Sequence, residues 1–340
     1  MFPKKIVLGW MVLLSLTFFL QTATGAELTV YASDSFTSKG SLGELLKQKF
    51  EKINGIKVTY VSFPSTGEAL NQIAIEQKQT HADLLVGVDN SLIARAKQLG
   101  AFLPLEIKGV KNIRPELLFD RELHFVPYDY GYLTFVFDKT RTQLPSTVSL
   151  QKLALDPAFR SKIVIEDPRT SSIGLGFLVF AHEVFDKAGY VQFWKNLSRQ
   201  LLSVAPSWSS AYGLFLKKEA ELVLSYTTSP AYHIEKENKH DIQAVVFSEG
   251  NYRQIEGAGI VKYTKKPELA KKWIEFLLSK NIQDEVATHN WMYPILENAN
   301  VPASFAKLPK VTKVVQPDPI KIESSKKSWL REWASLMGKP

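Results

Sequence analysis

The sequence predicts an α/β protein of two lobes, and three observations carry that expectation. Short apolar strands alternate with amphipathic helices from residue 28 onward. The alternation restarts near Leu133. The 340-residue chain exceeds one typical domain, yet it holds no internal repeat and no low-complexity linker. Two lobes without a linker imply that the chain passes between them more than once.

The first 26 residues read as a targeting leader. Lys4 and Lys5 give a charged start, 6–20 is apolar apart from Gly9, Ser15 and Thr17, and Thr24-Gly25-Ala26 is a small-residue site, so cleavage after Ala26 is expected. The apolar run is shorter than the roughly 20 residues a bilayer span needs, so a leader fits better than an anchor. No comparable run follows.

Leu28, Val30 and Ala32 alternate at the period of a strand. Leu42, Leu45, Leu46, the Lys49 stem and Ile53 recur at helical spacing, closed by Gly55. A strand over 56–61, a loop over 64–67, a helix from Leu70, a buried strand over 82–88 and a helix over 90–99 continue the series. Strict alternation implies a parallel sheet covered on both faces. The second series holds strands at 133–137, 163–165, 221–226 and 245–248, with helices near 173–187, 189–202 and 208–218. Residues 255–261 carry the glycines of a crossover, 267–279 form an amphipathic helix, and 321–337 form a surface-packed helix with Trp329 and Trp333.

Composition removes several chemistries. There is no cysteine, which excludes disulfides, thiolate catalysis, cysteine-based zinc sites and a lipidated cysteine at the leader junction. An exported chain without that anchor floats free, most simply in a Gram-negative periplasm. The formal charge is +8, or +6 without Lys4 and Lys5, but the lysines are interspersed with acids as in KKEAE (217–221). No basic run is interleaved with aromatics, so nucleic acid is not an expected partner. The six histidines lack metal-ligand spacing, and neither a phosphate-binding glycine loop nor a G-x-S-x-G elbow is present. Neither a metal nor a cofactor is expected, and the signals for an enzyme are poor.

Ligands of α/β sheets sit beyond the carboxyl ends of the strands, so polar or aromatic corners there are candidates. Thr170, Ser171 and Ser172 precede an apolar helix; they fit an anion cradle, and they fit simple N-capping better. Arg169 fits a structural ion pair better than an anion contact. Tyr226, Thr227, Thr228 and Ser229 follow a strand and suit either a capped turn or a polar ligand. Trp208, Tyr226 and Trp291 offer flat faces for a planar ring or a cation, while Trp194 and Trp273 lie on helical apolar stripes and belong to the core. Asp34 and Asp129 end strands, where each suits a ligand cation or a capped turn.

Taken together, FVPYDYGY (125–132), DPRTSSIGLG (167–176), SSAYGLFLK (209–217), LVLSYTTSPAYHI (222–234), FSEGNY (247–252) and NWMYP (290–294) make the chain resemble the periplasmic thiamine-binding proteins of ABC importers, over nearly the whole mature chain. The resemblance implies the type 2 periplasmic-binding fold with ligand in the interlobe cleft. The lobes are expected over 27–130 and 131–255, with 256–340 returning to the first. It implies an aromatic enclosure by Trp208, Tyr226 and Trp291, polar contacts from Ser171, Ser172, Thr227, Thr228 and Ser229, and Asp34 beside the cationic ring system. Ser33 stands where the family has Tyr, so one stacking face is missing. Ser65 and Thr66 stand near a family acid and keep polarity without charge. The implied ligands are thiamine, thiamine monophosphate or thiamine diphosphate. The implied partners are the membrane permease and ATPase subunits of an ABC importer, with a monomeric binding protein.

Three rivals remain at this stage. The first is a binding protein of the same fold for another small cation, an anion or Fe(III); iron-binding relatives use a Tyr-Tyr pair with a His or an acid, and no adjacent tyrosines occur here. A thiamine-degrading enzyme of this fold needs a cysteine, which is absent. A chemoreceptor role uses the same lobes and leaves no separate mark in sequence.

Overall fold

Local sequence sets most element boundaries. Ser41, Ser65, Ser149, Ser171, Asp186 and Ser207 each accept a hydrogen bond from the backbone N–H three residues on, capping the helix that follows. Gly55 ends its helix in the left-handed conformation, at φ 64°. The computed structural model describes residues 26–338, so the expected leader lies, apart from Ala26, outside the described residues. No helix among the described residues is long and apolar enough to cross a membrane.

The first half holds β1 (Glu27–Ser33), the one-turn α1 (Asp34–Thr37), α2 (Leu42–Asn54), β2 (Lys57–Phe63), α3 (Thr66–Glu76), β3 (Leu84–Asp89) and α4 (Ile93–Gln98). The long β4 (Val126–Asp138) leads into β5 (Thr147–Val148), α5 (Leu150–Leu155), β6 (Ile163–Glu166), α6 (Ser172–Val184), α7 (Lys187–Gln200) and β7 (Leu201–Ala205). Next come α8 (Trp208–Leu216), β8 (Leu222–Tyr226), α9 (Ser229–Glu237), β9 (Ile242–Ala244) and β10 (Val246–Phe247). The chain returns through β11 (Asn251–Ile260) to α10 (Pro267–Leu277), α11 (Lys280–His289), β12 (Tyr293–Pro294), β13 (Val314–Val315) and α12 (Pro319–Met337).

The main sheet runs β2-β1-β3-β11-β4-β8-β6-β7. The fully parallel sheet expected from alternation is corrected to a mixed one. β2, β1 and β3 are mutually parallel, as are β8, β6 and β7, but β11 pairs antiparallel with both β3 and β4, and β4 pairs antiparallel with β8. The second half of β4 pairs with β8 and its first half with β11, while the end of β11 pairs with β3, so these two strands join the two parallel groups. Their register sets Asp129 opposite Glu256, and it shifts between Glu256 and Gly257.

Trp194 and Trp273 are fully buried, as their helical stripes predict. Trp333 of α12 meets Trp194 edge-on at 6.1 Å, and Trp329 stacks on His182 at 4.3 Å. α12 packs on both α4 and α7. Several boundaries differ from expectation, most of all the strand expected over 133–137, which extends over Val126–Asp138 as β4. The helix expected over 189–202 stops at Gln200 and gives way to β7, and the strand expected over 245–248 shortens to β10, with β9 just before it.

Candidate functional site

A cavity of about 410 Å³ opens between the halves, within the range of sites that enclose small molecules. It is lined by Ser33, Asp34, Ser65 and Thr66 from the first half, by Ser171, Ser172, Trp208, Tyr226 and Ser229 from the second, and by Glu256 and Asn290–Met292 from the returning chain. Nine of the twelve residues expected from sequence therefore reach one cavity. A larger, more open hollow between Lys108–Pro115 and Leu278–Asn298 holds none of them.

Helix starts dominate the wall. Ser65 caps α3, Ser171 caps α6, Trp208 opens α8 and Ser229 opens α9. Each helix turns its positive end toward the cavity. Thr66 fits because residue 87 is glycine, at φ +97°; a Cβ there would stand 2.6 Å from the Thr66 hydroxyl oxygen. The Ser171 hydroxyl accepts from Gly174 N–H, so the capping role expected for it holds. Arg169 forms an ion pair with Asp167 and drives its carboxyl below the usual range. It takes the structural role.

The aromatic surfaces are individually fixed. Trp208 Nε1 donates to Ser225 Oγ at 2.9 Å, and its ring stacks on Tyr212 at 4.9 Å and 26°. Tyr212 shares a 2.9 Å hydrogen bond with His233, which Glu237 holds from its other nitrogen at 3.0 Å. Trp291 meets Tyr232 edge-on at 5.3 Å, with Lys236 over its ring at 5.8 Å. Its backbone is left-handed, at φ +55°, a conformation that costs a bulky residue about 1–3 kcal/mol. Tyr226 stands beside Met292 where residue 131 has no side chain; a Cβ at Gly131 would lie 2.7 Å from Met292 and 3.0 Å from Tyr226.

The floor is acidic. Burial raises the Tyr226 hydroxyl well above its ordinary value, and the nearby carboxyls of Glu256, Asp89, Asp129 and Glu166 raise it further. Asp34 sits at the mouth, where it accepts from Ser209 of the opposite half at 3.1 Å.

Three expected residues do not line the cavity. Asp129 is fully buried behind the floor and accepts from the Asn290 amide. Thr227 and Thr228 are also fully buried, because the chain turns inward after β8. Thr228 occupies the N-cap position of α9 without a side-chain cap bond; Ser229 is already in the helix, and its hydroxyl bonds Ser225 at 2.8 Å. Sequence reasoning passed over Glu256, Tyr212, Tyr232 and Asn290 as individual lining residues. The available signal for Glu256 was a lone acid in the glycine-bearing stretch 255–261. Among the described residues no group of three His, Cys, Asp or Glu is placed to hold a metal ion.

A mixed sheet shared by two lobes, with an aromatic, hydroxyl-rich cavity at their seam, defines a two-lobed solute-binding protein. Residues 79–318 match the model of the bacterial extracellular solute-binding protein family. The chain is 38% identical over 308 residues to the thiamine-binding periplasmic protein of Escherichia coli (strain K12), covering 90% of this chain and 92% of that one. It is 38% identical over 309 residues to the thiamine-binding periplasmic protein of Brucella melitensis biotype 1, covering 90% and 91%. A solved periplasmic thiamin binding protein superposes with a TM-score of 0.87 at 35% identity, over 94% of this chain and 98% of that one. The chain belongs to the bacterial extracellular solute-binding protein family, in the group formed by these thiamine-binding periplasmic proteins.

Proposed function

We propose that this protein captures thiamine in the periplasm and delivers it to the permease and ATPase subunits of an ABC importer. The observation that carries this reading is that Trp208, Tyr226 and Trp291, from three separate segments, meet at one cavity over an acidic floor. Thiamine joins a permanently charged thiazolium to a flat aminopyrimidine and a polar tail. Indole and phenol faces attract a cation by about 0.5–2 kcal/mol each, and carboxyls at floor and mouth answer its charge. The protein is a binding protein, not an enzyme.

Thiamine monophosphate and diphosphate belong to the same proposal. The starts of α3 and α6 offer positive helix ends and hydroxyls to a phosphate tail. In this reading Asp34, Ser65, Thr66, Ser171, Ser172, Trp208, Tyr226, Ser229 and Trp291 touch ligand, while Asp129, Thr227 and Thr228 support the floor. One lobe comprises 27–130 and 256–340, the other 131–255, and they hinge where β4 and β11 cross. A ligand touching both lobes favours the closed state by its differential contacts.

Native mass spectrometry of the protein as purified from periplasm tests the reading. The expected result is a monomer carrying one added mass equal to thiamine or one of its phosphates. A monomer carrying a metal ion or an unrelated small molecule would contradict it.

A further inference from the structure

Two carboxyls face each other at the bottom of the cleft. Asp129 on β4 and Glu256 on β11 are register partners, and like charges directly opposed on neighbouring strands repel. Glu256 lines the cavity, whereas Asp129 is wholly buried behind it. Tyr128 donates to Glu256 Oε2 at 3.0 Å, Gln254 donates to Oε1 at 3.3 Å, and Asn290 donates to Asp129 Oδ2. Asp129 Oδ1 has no fixed donor of its own. Two buried acids in this arrangement hold protons between them rather than two charges.

The surrounding groups sharpen this. Asp89 on β3 adds a further buried carboxyl facing Glu256, and Tyr226 on β8 and Glu166 on β6 complete the floor. Among the described residues, none of Asp89, Asp129, Glu166 or Glu256 forms an ion pair with a Lys, Arg or His. Lys326 of α12 lies within reach of the Asp89 field but is bonded to Glu323. Of the other charged groups on the cavity wall, Lys39 and Asp34 stand at its mouth, and His289 is engaged by Glu285 at 3.4 Å. The floor is thus an acid cluster with no built-in counter-ion, in a protein whose net charge is +8.

We propose that Glu256 is a ligand-contacting carboxyl that supplies the charge opposite the solute's cation, and that the Asp129–Glu256 pair gives up one of its two protons to solvent when the cation binds. The balance is simple. The doubly protonated, neutral pair meets a monocation. One proton leaves to bulk water, Asp129 keeps the other and donates it to the Glu256 carboxylate, and the bound complex is neutral overall. Burial and the neighbouring acids raise both carboxyls, so the releasable proton is present on the acid side of neutrality. Cation binding is the driving term, because the ligand replaces the counter-ion the floor lacks. This inference rests on the reading of the ligand as thiamine.

Calorimetric titration of thiamine into ligand-free protein, in two buffers of different ionisation enthalpy at pH 6, 7 and 8.5, tests it. The expected result is one site, a buffer-dependent enthalpy that reports release approaching one proton at pH 6 and little at pH 8.5, and affinity that rises with pH by up to about tenfold per unit before levelling off. Glu256→Gln should abolish the buffer dependence and flatten the pH profile. One-site binding with the same enthalpy in both buffers at every pH overturns the proton release and leaves thiamine as the ligand. A buffer dependence that survives Glu256→Gln but vanishes in His289→Gln also overturns it. Absence of thiamine binding at every pH overturns the ligand assignment and this inference together. The wild-type measurement needs no variant, so a folding defect in Glu256→Gln does not blunt the test.

Discussion

Ser209 donates a hydrogen bond to Asp34 across the mouth of the cleft, at 3.1 Å, joining α8 of one half to α1 of the other. The bond spans 175 residues of sequence and is exposed to solvent, so it is worth about 1 kcal/mol at most. Asp34 has a second role in the proposed complex, as a carboxylate near the ligand's positive ring. The two functions separate by mutation. Ser209→Ala removes the bond alone and should change thiamine affinity by less than about threefold. Asp34→Ala removes both and should weaken it by about tenfold or more, a loss of at least ~1.4 kcal/mol. Titration calorimetry on the two variants reads the difference.

Trp291 occupies a backbone conformation normally left to glycine, immediately after α11, with its N–H bonded to Val286 O at 3.1 Å. Strain at a bulky residue is expected where function holds the side chain in place. Trp291→Ala and Trp291→Gly should both weaken thiamine binding by about tenfold or more, since each deletes one aromatic face. Their stabilities should differ. Glycine relieves the left-handed strain that alanine retains, so the glycine variant should be the more stable of the two by about 1 kcal/mol. Urea denaturation midpoints measure this directly.

Gly131→Ala tests how closely the floor is packed. The added methyl would meet Met292 at 2.7 Å and Tyr226 at 3.0 Å. Met292 is flexible at that end but nearly fully buried, so relief comes from displacing the cavity wall. The fold should survive with a cost of about 1–3 kcal/mol, and thiamine affinity should fall several-fold. An unchanged affinity would mean that the wall yields elsewhere.

Glu166 gives a stability prediction with a definite sign. Neither of its carboxylate oxygens has a hydrogen-bond partner, and burial holds its carboxyl well above the ordinary value. The folded protein therefore keeps a proton that the unfolded chain has lost once pH passes the ordinary carboxylate range. Stability falls as pH rises from there toward the folded value, with a limiting slope of about 1.4 kcal/mol per unit for one proton. Glu166→Gln removes that dependence. Relative to wild type, the variant should gain stability between pH 5 and pH 8, as read from denaturation midpoints at the two pH values.

Much of this was readable before the structure. Alternating apolar residues marked β1, and serine before an apolar stretch marked the start of α6. Trp291 stood out because it follows Asn290 and precedes Pro294 in a loop-like segment. The crossing strand was less legible. Pro127, Asp129 and Gly131 interrupt the alternation in the first half of β4, although nearly every residue of that strand is buried. Sequence period reports one buried face, and a strand enclosed on both sides has none to report. The same limit hid the roles of Asp129, Thr227 and Thr228. Their residue types suit a ligand, but which side of the floor they face depends on strand register and on the turn after Tyr226. Glu256 lay in the opposite blind spot, since a single acid in a glycine-containing strand looks like a solvent-facing position until its cross-strand partner proves to be another acid.

The most direct test of the central claim is the tryptophan emission of ligand-free protein titrated with thiamine. Indole rings of Trp208 and Trp291 on the wall of one cavity predict a quench that saturates at one equivalent and is largely lost in the Trp208→Phe, Trp291→Phe double variant. No saturable change, or the same quench with both indoles removed, would contradict the account.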